Sequence, residues 1–447
     1  MPNSIAFNTA DGLNDIYRRP GGLLKHKGYE AMVHRAPNSF TMRGGKDHLR
    51  RRRILGEGLS DKSLRVYEPR MLEHINKFCD IIAGTVDQDG WSSPKDMASY
   101  CNYLSFDVMS DIVFGAKYNL LEIDRFRYVC KVIEKSNERM NVLVHAGRWA
   151  SLKLLDRFLF RRAIFARNRF IRFVTRLVGD RINKSKSVHP LESMDVFSHL
   201  QEAKDPSTGH SLSTNEITAE STTLIVAGSD STSTSITSVL FYLSHYPEVC
   251  DRVTAEIRNN FTHANEICIG ATLFSCRYFS ACINEAFRMS PAAGSCLFRE
   301  LPNHGAVIDG ETLPGGSNVG VGIYSIHHNP TYFPDPFTYR PERWIAGPDD
   351  ATQGSLEKGL SVLNPFSVGS RSCVGKSLAM MELQLTLASV LHRYDIKLAE
   401  GDLGRIGEGH ADWEYGRHRE HEYQLYEYIT SSKMGPYLQF RARKDQS

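Results

Sequence analysis

The chain has 447 residues, with 54 Lys and Arg against 51 Asp and Glu, so its formal net charge is +3. This near balance argues against a nucleic-acid-binding protein, whose binding domain carries a clear basic excess. A hydrophobic fraction of 41% with 23% charged residues is typical of a globular chain and excludes wholesale disorder.

Cysteine usage and the amino terminus indicate the compartment. The nine cysteines occur without CxxC pairs, which predicts reduced thiols in a cytosol-facing protein rather than a disulfide framework or a zinc ribbon. The first residues contain no apolar core of a signal peptide, and no run of about 18 apolar residues follows. The sequence therefore predicts neither a secretory signal nor a transmembrane helix.

Up to about residue 300 the pattern is mostly helical. Amphipathic stretches occur at Leu64–Ile82 and Asn102–Phe114. Ser213-Thr-Asn-Glu216 has the pattern of a capping box, and helical periodicity continues to Tyr246. A helix of that length extends about 50 Å. It predicts one large core rather than the three domains of about 150 residues that the length alone suggests.

Short strands are predicted in the carboxyl-terminal part. Ala306–Leu313 places a DG turn between apolar runs, and Asn318–Ile323 alternates apolar with small residues. Val374–Tyr394 returns to a helical pattern, and Tyr423–Ile429 with Tyr437–Phe440 is predicted as a last hairpin. The predicted fold class is mainly α with a small β portion.

Cys373 marks the segment with the most specific chemistry. It lies between a Gly/Ser-rich loop and the start of a helix, where backbone N–H groups and the helix terminus favour a thiolate. We therefore expect a lowered thiol pKa, which suits a metal ligand or a nucleophile. Gly369 and Gly375 would admit a flat or bulky group beside the sulfur, and Arg371 supplies a cation. The alternative is a buried cysteine that packs as a small hydrophobe.

The pattern Phe366-x-x-Gly369-x-Arg371-x-Cys373-x-Gly375 resembles the haem-binding motif of the cytochrome P450 family at every fixed position. The resemblance implies the P450 fold, haem b as cofactor, and Cys373 as the axial thiolate ligand of its iron. It covers nearly the whole chain and predicts a single domain over residues 1–447. It also implies that the usual membrane anchor and first elements are missing, through truncation, misprediction or natural shortening.

Two further segments precede Cys373 in the same order as in the family. They are Glu285-Ala-Phe-Arg288 and Pro341-Glu-Arg343-Trp. The resemblance implies that Glu285, Arg288 and Arg343 form a buried ionic cluster behind the haem. Taken alone, Glu285 and Arg288 would instead be an exposed helical pair that contributes a few tenths of a kcal/mol.

The stretch from Ala227 to Ser233 places Gly and hydroxylic residues in the middle of the long helix, where they are unfavourable. In the family this stretch forms an oxygen-binding groove whose acid and hydroxyl relay protons. The resemblance assigns Asp230 as the acid and Ser231 or Thr232 as the hydroxyl. Ser231 stands where Thr is usual, so the hydroxyl is less restrained. The alternative is that the serines of this stretch, Ser229 included, lie on the helix surface and have no functional role.

Haem propionates need cationic partners, and the resemblance implies His48, Arg52, Arg299 and Arg371. In His48-Leu-Arg-Arg-Arg-Arg53 only one helical face can reach inward, so the other arginines are predicted to be solvated. His48 stands where Trp is common, and a plain surface histidine is the alternative.

Residues 157–181 contain eight arginines and one acid, interleaved with five phenylalanines. One interpretation is a solvated helix pair whose aromatic side chains pack in the core. The other is an amphipathic patch that makes peripheral contact with an anionic membrane leaflet.

The resemblance implies a haem-thiolate monooxygenase that inserts one oxygen atom from O₂ into a small lipophilic substrate, and it is closest to filamentous-fungal members that modify secondary metabolites. NADPH-cytochrome P450 reductase is the implied partner, with cytochrome b5 as a second electron donor. The implied location is the cytosolic face of the endoplasmic reticulum, although a chain without an anchor would be soluble or peripheral.

Alternatives to this function remain open from the sequence. One is a haem-thiolate isomerase or dehydratase, and another is an inactive, truncated helical binding protein. A cysteine hydrolase is disfavoured because no motif places a histidine beside Cys373.

Overall fold

The computed structural model describes residues 3–145, 158–185, 195–204, 209–347 and 350–443. The α-helices in these ranges are α1 (Ala10–Tyr17), α2 (Lys46–Gly58), α3 (Asp61–Ala83), α4 (Met97–Phe114), α5 (Tyr128–His145), α6 (Arg161–Ser185), α7 (Val196–Glu202), α8 (Thr214–His245), α9 (Pro247–Asn260), α10 (Ala271–Ser275), α11 (Arg277–Met289), α12 (Ile323–His327), α13 (Asp350–Val362) and α14 (Lys376–Arg393). The strands are β1 (Ser4–Phe7), β2 (Leu24–Lys25), β3 (Lys95–Asp96), β4 (Arg299–Glu300), β5 (Ala306–Ile308), β6 (Glu311–Leu313), β7 (Asn318–Val321), β8 (Tyr394–Leu398) and β9 (Tyr437–Ala442). The prediction of a mainly α fold with a small β portion is confirmed.

Helix α8 is the long helix that the sequence predicts. Ser213 Oγ accepts from the Glu216 N–H at 3.4 Å, and Glu216 Oε2 accepts from the Ser213 N–H at 2.8 Å, so the capping box is present. The helix has 32 residues and ends at His245, one residue before the predicted end. Its length of about 48 Å lets helices from both halves of the chain pack against it.

Several hydroxyl groups of α8 are buried and keep their hydrogen bonds. Ser229 Oγ donates to the Ile225 carbonyl at 2.6 Å, and Ser238 Oγ donates to the Thr234 carbonyl at 2.8 Å. Such bonds to the preceding turn satisfy a hydroxyl inside a hydrophobic core. Ser229 is 5% exposed and Ser233 is fully buried. The interpretation of these two serines as surface residues is therefore wrong.

Two apolar clusters form the interior of the described residues. The larger one surrounds α8 with side chains from α3, α4, α11 and α14, among them Phe78, Phe106 and Leu387. The smaller one lies between α1, β7 and α12 and includes Leu13 and Val319. Helix α8 is thus enclosed on most sides, which explains why its apolar residues do not form a single stripe.

Two of the small sheets occur near the smaller cluster. The first has the strand order β1-β7-β4-β2, with β1 parallel to β7 and the other pairs antiparallel. The second is the β5–β6 hairpin. Its turn residues Asp309 and Gly310 both have positive φ, 54° and 78°, as a type I′ turn requires. The hairpin predicted from the DG pair is confirmed.

The predicted last hairpin is wrong. Strand β9 pairs antiparallel with β8 and with β3, and 423–429 contains no strand of a sheet. The ring of Tyr423 stacks on Phe241 of α8 at 4.6 Å between centroids, and its hydroxyl donates to the Gly435 carbonyl at 2.6 Å. Burial of this ring in the core places the Tyr423 segment against α8. Strand β9 therefore pairs with β8 and not with the predicted strand at 423–429.

The ionic cluster is present and deeply buried. Glu285 and Arg288 have side chains with no exposed surface, and Arg288 Nη2 lies 2.8 Å from Glu285 Oε1. Arg343 Nε lies 3.2 Å from the same oxygen, and Trp344 Nε1 donates to Glu285 Oε2 at 2.9 Å. Further Arg288 N–H groups donate to the carbonyls of His327, Pro336 and Thr338. The alternative of an exposed pair is wrong, because the cluster joins α11 to the turn at Pro341–Trp344.

We expect Glu285→Gln to destabilise the protein by about 3–5 kcal/mol, because it leaves two buried guanidinium groups without a counter-charge. Chemical denaturation followed by circular dichroism measures this loss. Arg252→Gln is the control, since it removes an exposed ion pair with Glu342 (2.9 Å, 58% exposed at Arg252) that contributes at most about 1 kcal/mol. Equal, small effects of the two substitutions would contradict the prediction.

Candidate functional site

Cys373 faces a space inside the protein. Its backbone N–H donates to the Phe366 carbonyl at 2.8 Å, just before α14. The side chain has exposed surface, yet burial raises the pKa of its thiol, with the Gly375 N–H and the charge of Arg52 acting in the opposite direction. The expectation of a lowered thiol pKa is wrong, because desolvation outweighs the two interactions that favour the thiolate. Exposed surface on a desolvated sulfur indicates a recess in the protein that is open beside Cys373.

The two glycines of the motif have different surroundings. A Cβ on Gly375 would meet only the sulfur of Cys373, at 3.9 Å, so the space beside the sulfur is open. Gly369 has a φ of 75°, and a Cβ there would lie 1.9 Å from the Tyr17 carbonyl. Gly369 therefore lets the loop contact α1, whereas Gly375 leaves room near Cys373. The ring of Phe366 packs edge-on against Phe287, at 5.3 Å between centroids.

Basic side chains converge near Cys373. They are Lys25, His48, Arg52, Arg299 and Arg371, of which Lys25, His48 and Arg299 are buried and the other two half-buried. Burial and the charges of Arg371, Lys25 and Arg52 lower the pKa of His48 to about 4. Burial and the charges of Arg299 and Arg52 lower the pKa of Arg371 to about 10. We call these five residues the cation cluster. The charges of Lys25, Arg52, Arg299 and Arg371 repel one another, whereas His48 is neutral near pH 7.

The cation cluster lacks a counter-charge. Its hydrogen bonds go to neutral groups: Lys25 Nζ to Phe40 O at 2.6 Å, Arg52 Nη1 to Ser372 O at 2.6 Å, Arg299 Nη1 to Leu297 O at 2.8 Å, and Arg371 Nη2 to Arg43 O at 2.9 Å. Within the described ranges, none of these four cations pairs with a carboxylate at 4.0 Å or less. Desolvated cations without a partner form an anion site. The two carboxylates of haem b fit it, with the thiol alongside.

Helix α2 differs from prediction at one arginine. His48 is 3% exposed, so the surface-histidine alternative is wrong. Arg51 is also 3% exposed, although it was expected to be solvated. Arg51 faces α8, where Glu216 lies at 2.5 Å and Glu220 at 3.5 Å and compensate its charge. Arg53 is exposed as expected.

Helix α8 has an open face at its centre. Ala227 is exposed and Ser231, one turn later, is half-exposed, although most neighbouring residues are buried. Ser231 Oγ donates to the Ala227 carbonyl at 2.6 Å. Thr232 is 3% exposed and lies on the buried face. Of the two predicted hydroxyl groups, the structure therefore places only that of Ser231 on the open face.

Asp230 is held by residues from distant segments. Its Oδ2 accepts from Asn137 Nδ2 at 2.9 Å and from the Thr430 hydroxyl, 93 and 200 residues away along the chain. Lys433 is 8% exposed, and burial lowers the pKa of its ammonium while the charge of Asp230 opposes this shift. Its Nζ donates to Asn102 Oδ1 at 2.8 Å, Ser233 Oγ at 2.9 Å and Thr234 Oγ1 at 3.1 Å. No sequence motif marks these partners.

Residues 17–409 match the family described as cytochrome P450. The chain belongs to the cytochrome P450 family. A cytochrome P450 monooxygenase of Gibberella zeae is 44% identical over 433 residues, which cover 97% of this P450 and 98% of the relative. The cytochrome P450 monooxygenases poxM of Penicillium oxalicum and AKT7 of Alternaria alternata are each 42% identical. They align with 98% of this P450, which covers 81% and 84% of their lengths.

Family membership settles the cofactor and the class of enzyme. P450 enzymes bind haem through a cysteine thiolate that ligates the iron, so haem is the cofactor of this chain. The similar proteins are named monooxygenases, and this P450 is an oxidoreductase of the same kind. The open cavity at Cys373 and the uncompensated cations agree with such a cofactor.

Lys25 belongs to the cation cluster, although no sequence motif marks it. It forms the pair Lys25↔Arg299 between β2 and β4, which places its charge in the cation cluster. Burial and the charges of Arg299 and Arg371 hold the pKa of Lys25 well below its usual value. No local sequence pattern identifies Lys25, because its position beside Arg299 depends on the pairing of two strands that are far apart in the sequence.

We expect Lys25→Met to release haem about tenfold faster than the parent protein, because it removes a buried cation that would contact a propionate. Transfer of haem to excess apomyoglobin measures the rate. Lys27→Met is the control, since the Lys27 side chain is 69% exposed and lies 3.4 Å from Glu300. Unchanged release from the Lys25 variant would remove Lys25 from the site.

Proposed function

We propose that this P450 inserts one oxygen atom from O₂ into a small lipophilic substrate in fungal secondary metabolism, and that the Cys373 thiolate would hold the haem iron. The observation that carries the proposal is the open, desolvated Cys373 beside cations that lack a counter-charge. The similar monooxygenases come from Gibberella, Penicillium and Alternaria, which supports a fungal setting. We treat residues 1–447 as one catalytic domain, which remains a prediction.

In this proposal the residues near Cys373 hold the cofactor. When bound, the haem supplies the iron centre at which O₂ is activated. The propionates would be held by His48, Arg52, Arg299 and Arg371, together with Lys25. Phe366, Gly369 and Gly375 shape the loop that presents the sulfur. His48 would act as a neutral donor, because its pKa is about 4.

Asp230 and Ser231 would deliver protons. The hydrogen bonds of Asp230 to Asn137 and Thr430 both reach Oδ2, which leaves Oδ1 available to accept and pass on a proton. The Ser231 hydroxyl lies on the open face of α8 and can rotate away from the Ala227 carbonyl. Thr232 would pack in the core instead, since it lies on the buried face.

Electrons would come from a separate protein. The sequence contains no recognisable fingerprint for FMN, FAD or a nicotinamide. NADPH-cytochrome P450 reductase is therefore the proposed donor, and cytochrome b5 is a second one.

A CO difference spectrum of the reduced, haem-loaded protein tests the ligand. We expect the red-shifted Soret band of thiolate-ligated haem from the parent and its complete loss in Cys373→Ala. Cys268→Ala is the control, because Cys268 is another exposed cysteine outside the motif. A band that survives Cys373→Ala would exclude this ligand. Substrate conversion without NADPH and reductase would favour an isomerase or dehydratase.

Peripheral membrane contact is a further part of the proposal. Within the described ranges, no helix combines the length and apolarity needed to cross a bilayer. Phe170 and Phe173 are buried, which agrees with core packing. Phe158, which lies just before α6, and Phe165, in the first turns of α6, are however 83% and 64% exposed, among exposed arginines. We propose that this end of α6 rests on the anionic cytosolic leaflet of the endoplasmic reticulum.

Co-sedimentation with phosphatidylserine-containing vesicles tests the contact. We expect the double variant Phe158→Ser, Phe165→Ser to bind at least about tenfold more weakly, because two exposed rings no longer enter the interface. Phe274→Ser is the control, since Phe274 is 57% exposed on a different helix. Equal binding of both variants would exclude α6 as the contact.

A further inference from the structure

A narrow slot of about 40 Å³ lies beside the cation cluster. Apolar side chains form most of its walls, among them Tyr29, Phe40, Val144, Leu297, Phe298 and Ile429. Polar side chains also line it: His26, Asn141, His145, Ser295 and Tyr428. The slot has room for one functional group rather than a whole substrate, since a cavity of this measure needs about 10–15 Å³ for a single water molecule.

Asn141 supplies an unused acceptor. Its Nδ2 donates to the Glu427 carbonyl at 3.4 Å. Because a carbonyl only accepts, this contact fixes the orientation of the side-chain amide. Oδ1 is then buried and has no hydrogen-bond partner among the described residues. Such an atom is costly to leave unpaired, so a donor from a bound molecule would stabilise it.

His26 supplies a donor. Its Nδ1 accepts from the Gly28 N–H at 3.1 Å, so the neutral ring carries its proton on Nε2. Burial and the neighbouring His145 lower the pKa of His26, which keeps the ring neutral near pH 7. A Cβ on Gly28 would lie 2.1 Å from the Val144 carbonyl. The missing Cβ lets the turn that carries His26 pack directly on the end of α5.

His145 supplies a second acceptor. Its Nδ1 lies 2.8 Å from the Asn141 carbonyl, which can only accept, so Nδ1 carries the proton. In the neutral ring Nε2 is then an acceptor. Asn141 and His145 are one turn apart on α5, and His26 belongs to the segment packed against that helix. The donor and the acceptors therefore come from different walls of the slot.

We propose that the substrate of this P450 carries a secondary amide that binds in the slot. A planar trans amide directs its N–H and C=O in opposite directions, which matches a donor on one wall and acceptors on the other. His26 Nε2–H would donate to the amide carbonyl, and Asn141 Oδ1 or His145 Nε2 would accept from its N–H. An ester lacks the donor, and an alcohol has both functions on one atom.

The slot adjoins the residues assigned to the cofactor. His26 follows Lys25 in the chain, and its backbone N–H donates to the carbonyl of Phe298, which precedes Arg299. An amide held there would anchor one part of the substrate at the edge of the cofactor site. This inference rests on the proposed function of that site and adds the chemical class of its substrate.

Calorimetric titration of the haem-loaded protein with matched probes tests the inference. The probes are N-phenethyl phenylacetamide, its ester analogue phenethyl phenylacetate, and 2-phenylethanol. We expect the amide to bind about tenfold more tightly than the ester, and more tightly than the alcohol. Asn141→Leu should reduce this preference, because it removes the acceptor. Val142→Ala is the control, because Val142 is exposed on the same helix.

The two proposals fail separately. The inference would be overturned by equal binding of amide and ester or by absence of amide binding. It would also be overturned if neither Asn141→Leu nor His26→Phe changed the preference, with melting curves showing that both variants are folded. An intact CO spectrum with any of these results leaves the proposed function standing. A missing red-shifted band together with an amide preference would overturn the proposed function and support the slot.

Discussion

Repulsion among cations beside Cys373 is the constraint on which the site depends. Lys25 and Arg299 are brought together by the pairing of β2 with β4, and Arg52 joins α2 to the loop before Cys373 through the Ser372 carbonyl. Arg371 extends from that loop to the Arg43 carbonyl. The same side chains therefore hold the segments together and create an unfavourable charge that a bound dianion relieves. Binding and stability are linked through this cluster.

The chain separates paired charges from unpaired ones. Glu285 receives Arg288, Arg343 and Trp344, and every part of that cluster has partners in the protein. Such a buried network fixes geometry, since any member that is removed leaves a charge without compensation. Near Cys373, by contrast, no carboxylate of the described residues pairs with the four cations. Within the described residues, charges that have a counter-charge maintain the fold, and charges that have none indicate a ligand site.

The same distinction applies to polar groups without charge. The hydroxyls of Ser229 and Ser238 are satisfied within α8, which lets this helix run through the core. Asn141 Oδ1 is buried at the slot and has no partner among the residues that the structure describes. Because an unsatisfied acceptor costs free energy in the free protein, its position indicates where a donor from outside is recognised. Asp230, which the described residues hold through Oδ2, follows the same logic.

Local patterns in the sequence were enough for the capping box at Ser213, the Asp309-Gly310 turn and the family motif around Cys373, because each depends on residues a few positions apart. The partner of β9, the burial of Arg51 and the membership of Lys25 in the cation cluster were decided by tertiary structure, since they arise from contacts between distant segments. The direction of the Cys373 pKa belongs with them. Desolvation depends on everything packed around an atom, and no short pattern encodes it.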